Sequence, residues 1–257
     1  MNPKYYAKNI IKELEITNVP VNLTQIANVK DIKIEEVDAE GFEGILIVQN
    51  NSAVIGVNRK IRESGRKKFT IAHELGHYHI PGHISNNKQN FSCTSNNMTT
   101  YDGRNRKEYE ANEFASELLM PEEIFKEKIK YEDLSYKMLQ NLTEEFDTTL
   151  TATGRRYVEF SGYHAMVFST NSEITWFSKG EDFPYYISPG KLSEDSVAID
   201  FFKNEEVPNT FQSVLASAWL DDYRLKDDME IEELSSPLPY YNSVLSFLYS
   251  ENEEEEY

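Results

Sequence analysis

The apolar positions of the first 57 residues predict two helices followed by three strands. Apolar side chains recur at helical spacing over Pro3–Glu15, and a second short helix is expected over Asn22–Ala27. Ile32–Val37 has the composition of a strand. Phe42–Val48 and Ala53–Val57 are β-rich runs, and the four polar residues between them favour a hairpin.

Two longer helices are expected further along the chain. Phe69–His79 forms the first, after a basic and polar link over Asn58–Lys68. In the second, Glu108–Pro121, apolar residues recur at helical spacing, and the proline ends the helix. The stretch between them, Pro81–Asn105, is polar and rich in asparagine, which predicts a mobile surface loop.

The middle of the chain has the pattern of a helix-turn-helix. Leu134–Phe146 has helical spacing, and a second helix follows the polar turn Asp147–Thr149. Over Lys130–Phe160 there are four basic and six acidic residues, whereas segments that read DNA carry the opposite balance. Direct DNA binding is therefore not expected, and a spacer or a surface for a protein substrate is favoured.

The last third of the chain is rich in strand signals. Ala165–Ser169 and Glu173–Phe177 flank a turn, and Ser243–Tyr249 is a last apolar strand. Two more apolar runs lie between them, Phe183–Ile187 and Val214–Leu220. The pattern predicts a separate, mainly β domain.

The residues with the clearest chemistry form an HExxH signature, with His73, Glu74 and His77 at its polar positions. On a helix, residues i and i+4 share a face, so both imidazoles can bind one metal ion. Glu74 projects about 100° away, where a general base can take a proton from metal-activated water. Four of the five histidines lie between positions 73 and 83. The run predicts a catalytic zinc site.

A catalytic zinc ion needs a third protein ligand, and two residues compete for that role. His83 fits the spacing HExxHxxGxxH, but that pattern needs glycine at position 80, where this chain has Ile80. Glu108 is favoured, because Asn112 one turn later can hydrogen-bond the outer nitrogen of a ligand histidine. Glu110 is the nearest rival to Glu108 on that helix.

Composition and charge narrow the function further. A single cysteine, Cys93, excludes an internal disulfide framework, and no signal peptide or apolar run of about 20 residues is present, so a cytoplasmic protein is expected. The net charge of −18 disfavours nucleic acid and favours a basic protein partner, although an acidic surface kept for solubility accounts for it equally. Glu253–Glu256 is expected to be a frayed acidic tail.

The two helical blocks together resemble the ImmA/IrrE family of metallo-endopeptidases. Its members carry an FTxAHELGH helix and a later ExEANxFAxxLLMP helix, which Phe69–His77 and Glu108–Pro121 match. The chain departs from the family's usual HELGHxxLH after the second histidine. The resemblance implies Glu74 as the catalytic base and zinc as the cofactor, with manganese as the other candidate metal. It also implies three metal ligands: His73, His77 and Glu108.

For the whole chain, the resemblance implies an α+β fold in three parts. These are a zincin-like metallopeptidase domain (residues 1–125), a helical, helix-turn-helix-like segment (126–162) and a GAF-like C-terminal domain (163–257). In zincins, an edge strand beside the cleft aligns the substrate as an added strand. The implied activity is cleavage of a specific protein, a helix-turn-helix transcriptional repressor, in stress or mobile-element control.

A second hypothesis is a non-proteolytic, metal-binding regulator that acts by binding protein or DNA. Structural zinc sites normally use four protein ligands. Only three good ligands stand out in this sequence, and Glu74 has no structural purpose among them. Catalysis is therefore the favoured hypothesis.

Overall fold

The computed structural model describes residues 2–49, 52–84, 88–93 and 105–250. The chain forms two compact units. The first comprises the residues up to Lys130 together with Asn141–Ala152, and the second comprises Tyr131–Gln140 together with the residues from Thr153 on. No helix in the described ranges is long and apolar enough to cross a membrane. The predicted acidic tail, Glu253–Glu256, lies outside the described residues.

The described part of the first unit contains five helices, and four of them correspond to helices that the sequence predicts. The Asn2 side chain accepts a hydrogen bond from the Lys4 amide at the start of the first helix, and Asn22 caps the second in the same way. The fifth helix was not predicted, since its short apolar pattern follows directly on a proline. The helices are α1 (Pro3–Glu13), α2 (Leu23–Val29), α3 (Ser64–His79), α4 (Arg106–Leu119) and α5 (Glu122–Ile129).

The first unit also contains a four-stranded mixed sheet. Its strands are β1 (Ile32–Val37), β2 (Gly44–Gln49), β3 (Ser52–Asn58) and β4 (Lys88–Cys93), in the order β1-β3-β2-β4. The predicted hairpin is confirmed, because β2 pairs antiparallel with β3 from Gln49 opposite Ser52. β1 runs parallel to β3.

Strand β4 corrects the prediction of a loop over Pro81–Asn105. It pairs antiparallel with β2 and occupies one edge of the sheet, so the hairpin strand β2 is interior. The edge strand next to β2 therefore follows the HExxH segment in sequence instead of preceding it. The rest of that predicted loop, at residues 85–87 and 94–104, lies outside the described residues.

Three basic residues just before the HExxH segment are ion-paired within the first unit. Arg66 Nη2 lies 2.5 Å from Glu43 Oε1, and Lys67 Nζ lies 2.6 Å from Glu36 Oε1. Lys68 Nζ contacts Asp147 at 2.8 Å. These pairs agree with a structural reading of the basic run, although α3 begins at Ser64, inside what the sequence predicts to be a link.

Both predicted helices of the middle segment are present. They are α6 (Tyr136–Phe146) and α7 (Leu150–Ser161). Asp147 between them has a φ of 49°, and the Thr149 hydroxyl accepts a hydrogen bond from the Ala152 amide at the start of α7. The division into two compact units runs through both helices, since Asn141–Ala152 belongs to the first unit and the residues on either side belong to the second.

The second unit is built on a five-stranded antiparallel sheet. Its elements are β5 (His164–Thr170), β6 (Glu173–Lys179), α8 (Ala198–Lys203), β7 (Gln212–Leu215), β8 (Glu230–Leu238) and β9 (Ser243–Tyr249). The strands lie in the order β6-β5-β9-β8-β7. Two predicted runs are corrected: Phe183–Ile187 contributes only one isolated bridge, at Ile187, and Val214–Leu220 leaves the sheet for a 3-10 turn at Ala216. β8 and α8 carry no clear apolar alternation and were not predicted.

A half-buried histidine, His164, makes the stability of the second unit depend on pH. The His164 ring lies between those of Tyr157 and Tyr249, with centroids 5.4 and 4.8 Å away, and its Nδ1 has no hydrogen-bond partner among the described residues. Burial lowers the pKa of His164 from 6.5 to about 4. At a pH between these two pKa values, the His164 imidazole is therefore protonated in the unfolded chain and neutral in the folded chain.

We expect this contribution to stability to be complete above pH 6.5 and to fall as the pH approaches 4. The loss should reach about 2 kcal/mol near pH 5, at about 1.4 kcal/mol per pH unit. Urea unfolding at pH 7 and pH 5 measures it, with His164→Phe as the comparison because phenylalanine fills the same space without titrating. Equal losses in the two proteins would contradict the prediction.

Candidate metal centre

Helix α3 buries the three polar residues of the HExxH signature. His73, Glu74 and His77 each have 0 % of their surface exposed. α3 ends at His79, and Ile80 is extended, with ψ at 119°. The residue before a proline disfavours the helical conformation, so Pro81 accounts for this end. The helix therefore carries both imidazoles in its last two turns, inside the first unit.

Helix α4 packs closely against α3 and brings a carboxylate to the histidines. A Cβ atom on Gly76 would lie 3.1 Å from the Phe114 ring and 3.2 Å from Ala111, so glycine favours this close approach of the helices. His73, His77 and Glu108 consequently offer ligand atoms that all lie within 4.8 Å of one another. These three residues could hold one metal ion.

The distances within this group point one nitrogen of each ring at a common centre. His73 Nε2 lies 3.1 Å from His77 Nε2 and 3.2 Å from Glu108 Oε2. Glu108 Oε1 lies 3.4 Å from His77 Nε2. Two imidazoles and a carboxylate are a donor set that zinc accepts in catalytic sites.

The protonation states suit metal binding. Burial lowers the pKa of His77 to about 4, more than the neighbouring Glu108 carboxylate raises it. Burial by itself would raise the pKa of Glu108, but hydrogen bonds and charge from His73 and His77 hold it below its ordinary value. A neutral imidazole and an ionised carboxylate are the forms that bind metal ions.

The outer nitrogen of each histidine has its own partner. His73 Nδ1 lies 2.8 Å from Asn112 Oδ1, the contact that the sequence predicts for an outer nitrogen. His77 Nδ1 lies 3.1 Å from His83 Nδ1. His83 therefore meets His77 from the side away from the centre, and it is Glu108 that joins the two histidines. Glu110, the rival of Glu108, contacts His83 Nε2 at 3.0 Å.

Sequence reasoning did not single out Gly44, which lies on β2 against the site. A Cβ there would lie 2.5 Å from Thr70 Cγ2 and 2.8 Å from Glu74 Oε1. The strand thus passes so close to α3 that no side chain fits between them. A lone glycine in a strand-like run is the available signal, because it marks a close approach of the backbone.

A mixed α/β domain that buries two helix-borne histidines against a carboxylate of a second helix is a zincin-like metallopeptidase domain. The chain belongs to the Peptidase M78 family, whose model, described as the IrrE N-terminal-like domain, matches residues 27–157, just over half of its length. The resemblance to the ImmA/IrrE family is confirmed by this match. Among curated proteins, no match is found.

Solved structures also contain a similar fold. A structure called Mycobacterium tuberculosis transcriptional regulator matches with a TM-score of 0.58 and 13 % identity. The match covers 96 % of this chain and 75 % of that one. At this level of identity the likeness concerns the fold.

Proposed function

We propose that this protein is a zinc-dependent endopeptidase that cleaves a specific protein, a helix-turn-helix transcriptional repressor. The observation that carries the proposal is the buried group of His73, His77 and Glu108 in a chain of the Peptidase M78 family. Glu74, next to His73 on α3 and equally buried, supplies a base beside that group.

His73, His77 and Glu108 are proposed as the ligands, with zinc as the metal and manganese as the alternative. Bound zinc would supply Lewis-acid chemistry, lowering the pKa of water and polarising a carbonyl oxygen. The three ligands leave a fourth coordination position for the reaction, as catalytic zinc sites do. Asn112 supports this arrangement, since its contact with His73 Nδ1 directs Nε2 to the centre.

Glu74 is proposed as the general base and then the general acid. Its carboxylate takes a proton from the attacking water and passes that proton to the amine nitrogen that leaves as the peptide bond breaks. This requires the carboxylate to sit beside the metal without binding it. The close passage of β2 at Gly44 supports that role, because it limits where the Glu74 side chain can lie.

Replacing Gly44 by alanine should therefore displace Glu74 while leaving the ligands in place. We expect normal zinc content and a cleavage rate lower by about 10²-fold, since small misplacements of catalytic groups have effects of that order. Gly56→Ala is the matched control, because its methyl group would meet the Ile45 side chain at 2.9 Å, not a residue of the site. Equal rates in the two variants would contradict this role of Gly44.

The proposed substrate is a basic repressor, bound in a reducing, cytoplasmic compartment. The net charge of −18 favours encounter with a basic protein. The regulatory name of the structural neighbour agrees with this setting. β4 is the sheet edge beside β2, and an extended segment of the substrate could add to it as a strand.

The proposed organisation keeps three parts: residues 1–125, 126–162 and 163–257. A zincin-like domain, a helix-turn-helix-like segment and a GAF-like domain would occupy them in that order. The five-stranded sheet, with its own core around Val167, Trp219 and Leu248, supports a separate C-terminal domain. The acidic balance of the middle segment supports a protein-binding use over DNA reading.

The test mixes the zinc-loaded protein with a basic helix-turn-helix repressor encoded beside its gene. We expect discrete fragments, and a cleavage rate that falls roughly tenfold as salt rises, because salt screens the charges that steer association. The chain alone should give no footprint on the repressor's operator. If the chain protected the operator and produced no repressor fragments, the protease hypothesis would be wrong and the non-proteolytic regulator would be favoured.

A further inference from the structure

The metal-facing nitrogen of His77 is set by what its other nitrogen meets. His77 is fully buried, and its Nε2 faces His73 Nε2 at 3.1 Å and Glu108 Oε1 at 3.4 Å. A neutral imidazole carries one proton, on one nitrogen or the other. If Nε2 is to bind a metal, the proton must lie on Nδ1, and the group opposite Nδ1 must accept it. That group is His83 Nδ1, 3.1 Å away.

The protonation of His83 is set in turn by Glu110. His83 Nε2 lies 3.0 Å from Glu110 Oε2, and an ionised carboxylate can only accept a hydrogen bond. His83 therefore keeps its proton on Nε2 and leaves Nδ1 bare, as His77 requires. Arg106 Nε donates to the other oxygen of Glu110 at 2.8 Å, which keeps that carboxylate ionised and oriented.

The backbone after α3 is shaped to return His83 to the helix. Pro81 and Gly82 occupy the centre of a turn closed by a hydrogen bond of 3.2 Å from the His83 amide to the Ile80 carbonyl. Gly82 has a φ of 85°, which the third position of a type II turn requires and which favours glycine. Lys107 Nζ donates to the His83 carbonyl at 3.0 Å, so α4 holds the turn as well.

We propose that His83 and Glu110 are positioning residues that hold His77 in its metal-binding tautomer. The proposal rests on the metal site proposed above but not on peptide cleavage. His83 then acts through His77 and does not bind the ion. The two proposed ligand histidines of α3 thus have different outer partners: an amide oxygen of α4 for His73, and a histidine backed by a carboxylate for His77.

Zinc affinity, measured by competition with a chromogenic chelator, tests the proposal on the full-length chain. His83→Leu should weaken zinc binding roughly 10–100-fold, the range for outer partners of metal ligands. His83→Asn should recover most of that loss, because its amide oxygen takes the place of the ring Nδ1 and can accept the same proton. His79→Leu is the matched control: this half-buried histidine stacks on Phe114 with 5.9 Å between ring centroids, lies outside the metal group, and should not affect affinity.

A double-mutant cycle separates positioning from general stability. Glu110→Ala should weaken zinc binding in the wild type and have little further effect in His83→Asn, since Glu110 acts only through the imidazole. The thermal midpoints of the metal-free variants show whether each one folds. A Glu110→Ala effect of equal size in both backgrounds would overturn the relay.

His73→Ala separates failure of this proposal from failure of the metal site itself. If His73→Ala binds zinc as tightly as the wild type, the proposed site is wrong. If His73→Ala loses zinc and His83→Leu retains wild-type affinity, only the positioning role is overturned. A loss in His83→Leu as complete as that in His73→Ala, without recovery in His83→Asn, would make His83 a ligand and also overturn it.

Discussion

Glu74→Gln is expected to retain the metal ion and to lose cleavage of the protein substrate. The proposed ligands, His73, His77 and Glu108, are untouched by this change, so zinc content should equal that of the wild type. The amide cannot accept the proton of the attacking water, and loss of a general base lowers rates by about 10²–10⁴-fold. Elemental analysis and a cleavage assay on the same preparation measure both quantities.

The Glu74→Gln variant also separates the two hypotheses for function. Glutamine has nearly the same shape as glutamate, so binding of a partner should survive the change. Glu113→Gln on α4 is a suitable control, because that carboxylate is paired with Lys4 at 3.1 Å and lies outside the metal group. A Glu74→Gln protein that still produced the full biological effect would exclude proteolysis as its cause.

Loss of one proposed ligand is expected to remove most of the metal. His73→Ala and Glu108→Ala each leave two of three protein ligands, and the loss of affinity should exceed the 10–100-fold typical of outer partners. Zinc content after dialysis, with the wild type near one ion per chain, measures the effect. Glu108→Ala is the more informative of the two variants, because it leaves His73 and His77 unchanged on α3 and so tests the third ligand alone.

The same measurement decides between the two candidates for the third ligand. His83 contacts the outer nitrogen of His77, and Glu108 lies between the inner nitrogens of both histidines. We therefore expect Glu108→Ala to lose more zinc than His83→Ala. Full zinc in Glu108→Ala with none in His83→Ala would transfer the third-ligand role to His83.

In the first unit, the sequence predicted correctly those features that depend on only a few neighbouring residues. The strand Ile32–Val37 has the bounds that its composition predicts, and α1 and α2 begin at asparagine caps that are visible in the sequence. Capping, proline and helical spacing act within a few residues, so they can be read without knowing the fold. The short helix α5 and strand β8 carry weaker patterns and escaped prediction.

Strand β4 shows where local reading fails. Four of its six residues are polar and the strand follows a helix, which favours a loop, yet it pairs with β2 more than 35 positions earlier in the chain. Backbone hydrogen bonds to a distant strand do not require apolar side chains. Whether such a segment forms an edge strand therefore depends on the partner strand with which it pairs, and its own sequence does not reveal this.

The sequence by itself determined that His73 and His77 share one helix face with Glu74 beside it, because the period of the α-helix fixes these directions. It favoured Glu108 over His83 as the third ligand, because the pattern that would use His83 lacks its glycine at position 80. Where these two side chains lie relative to the histidines was decided by the tertiary structure. The close packing of α4 on α3 at Gly76 places Glu108 at the inner nitrogens, and the turn at Gly82 carries His83 to the outer nitrogen of His77. Contacts between distant segments, which spacing does not encode, set these two positions.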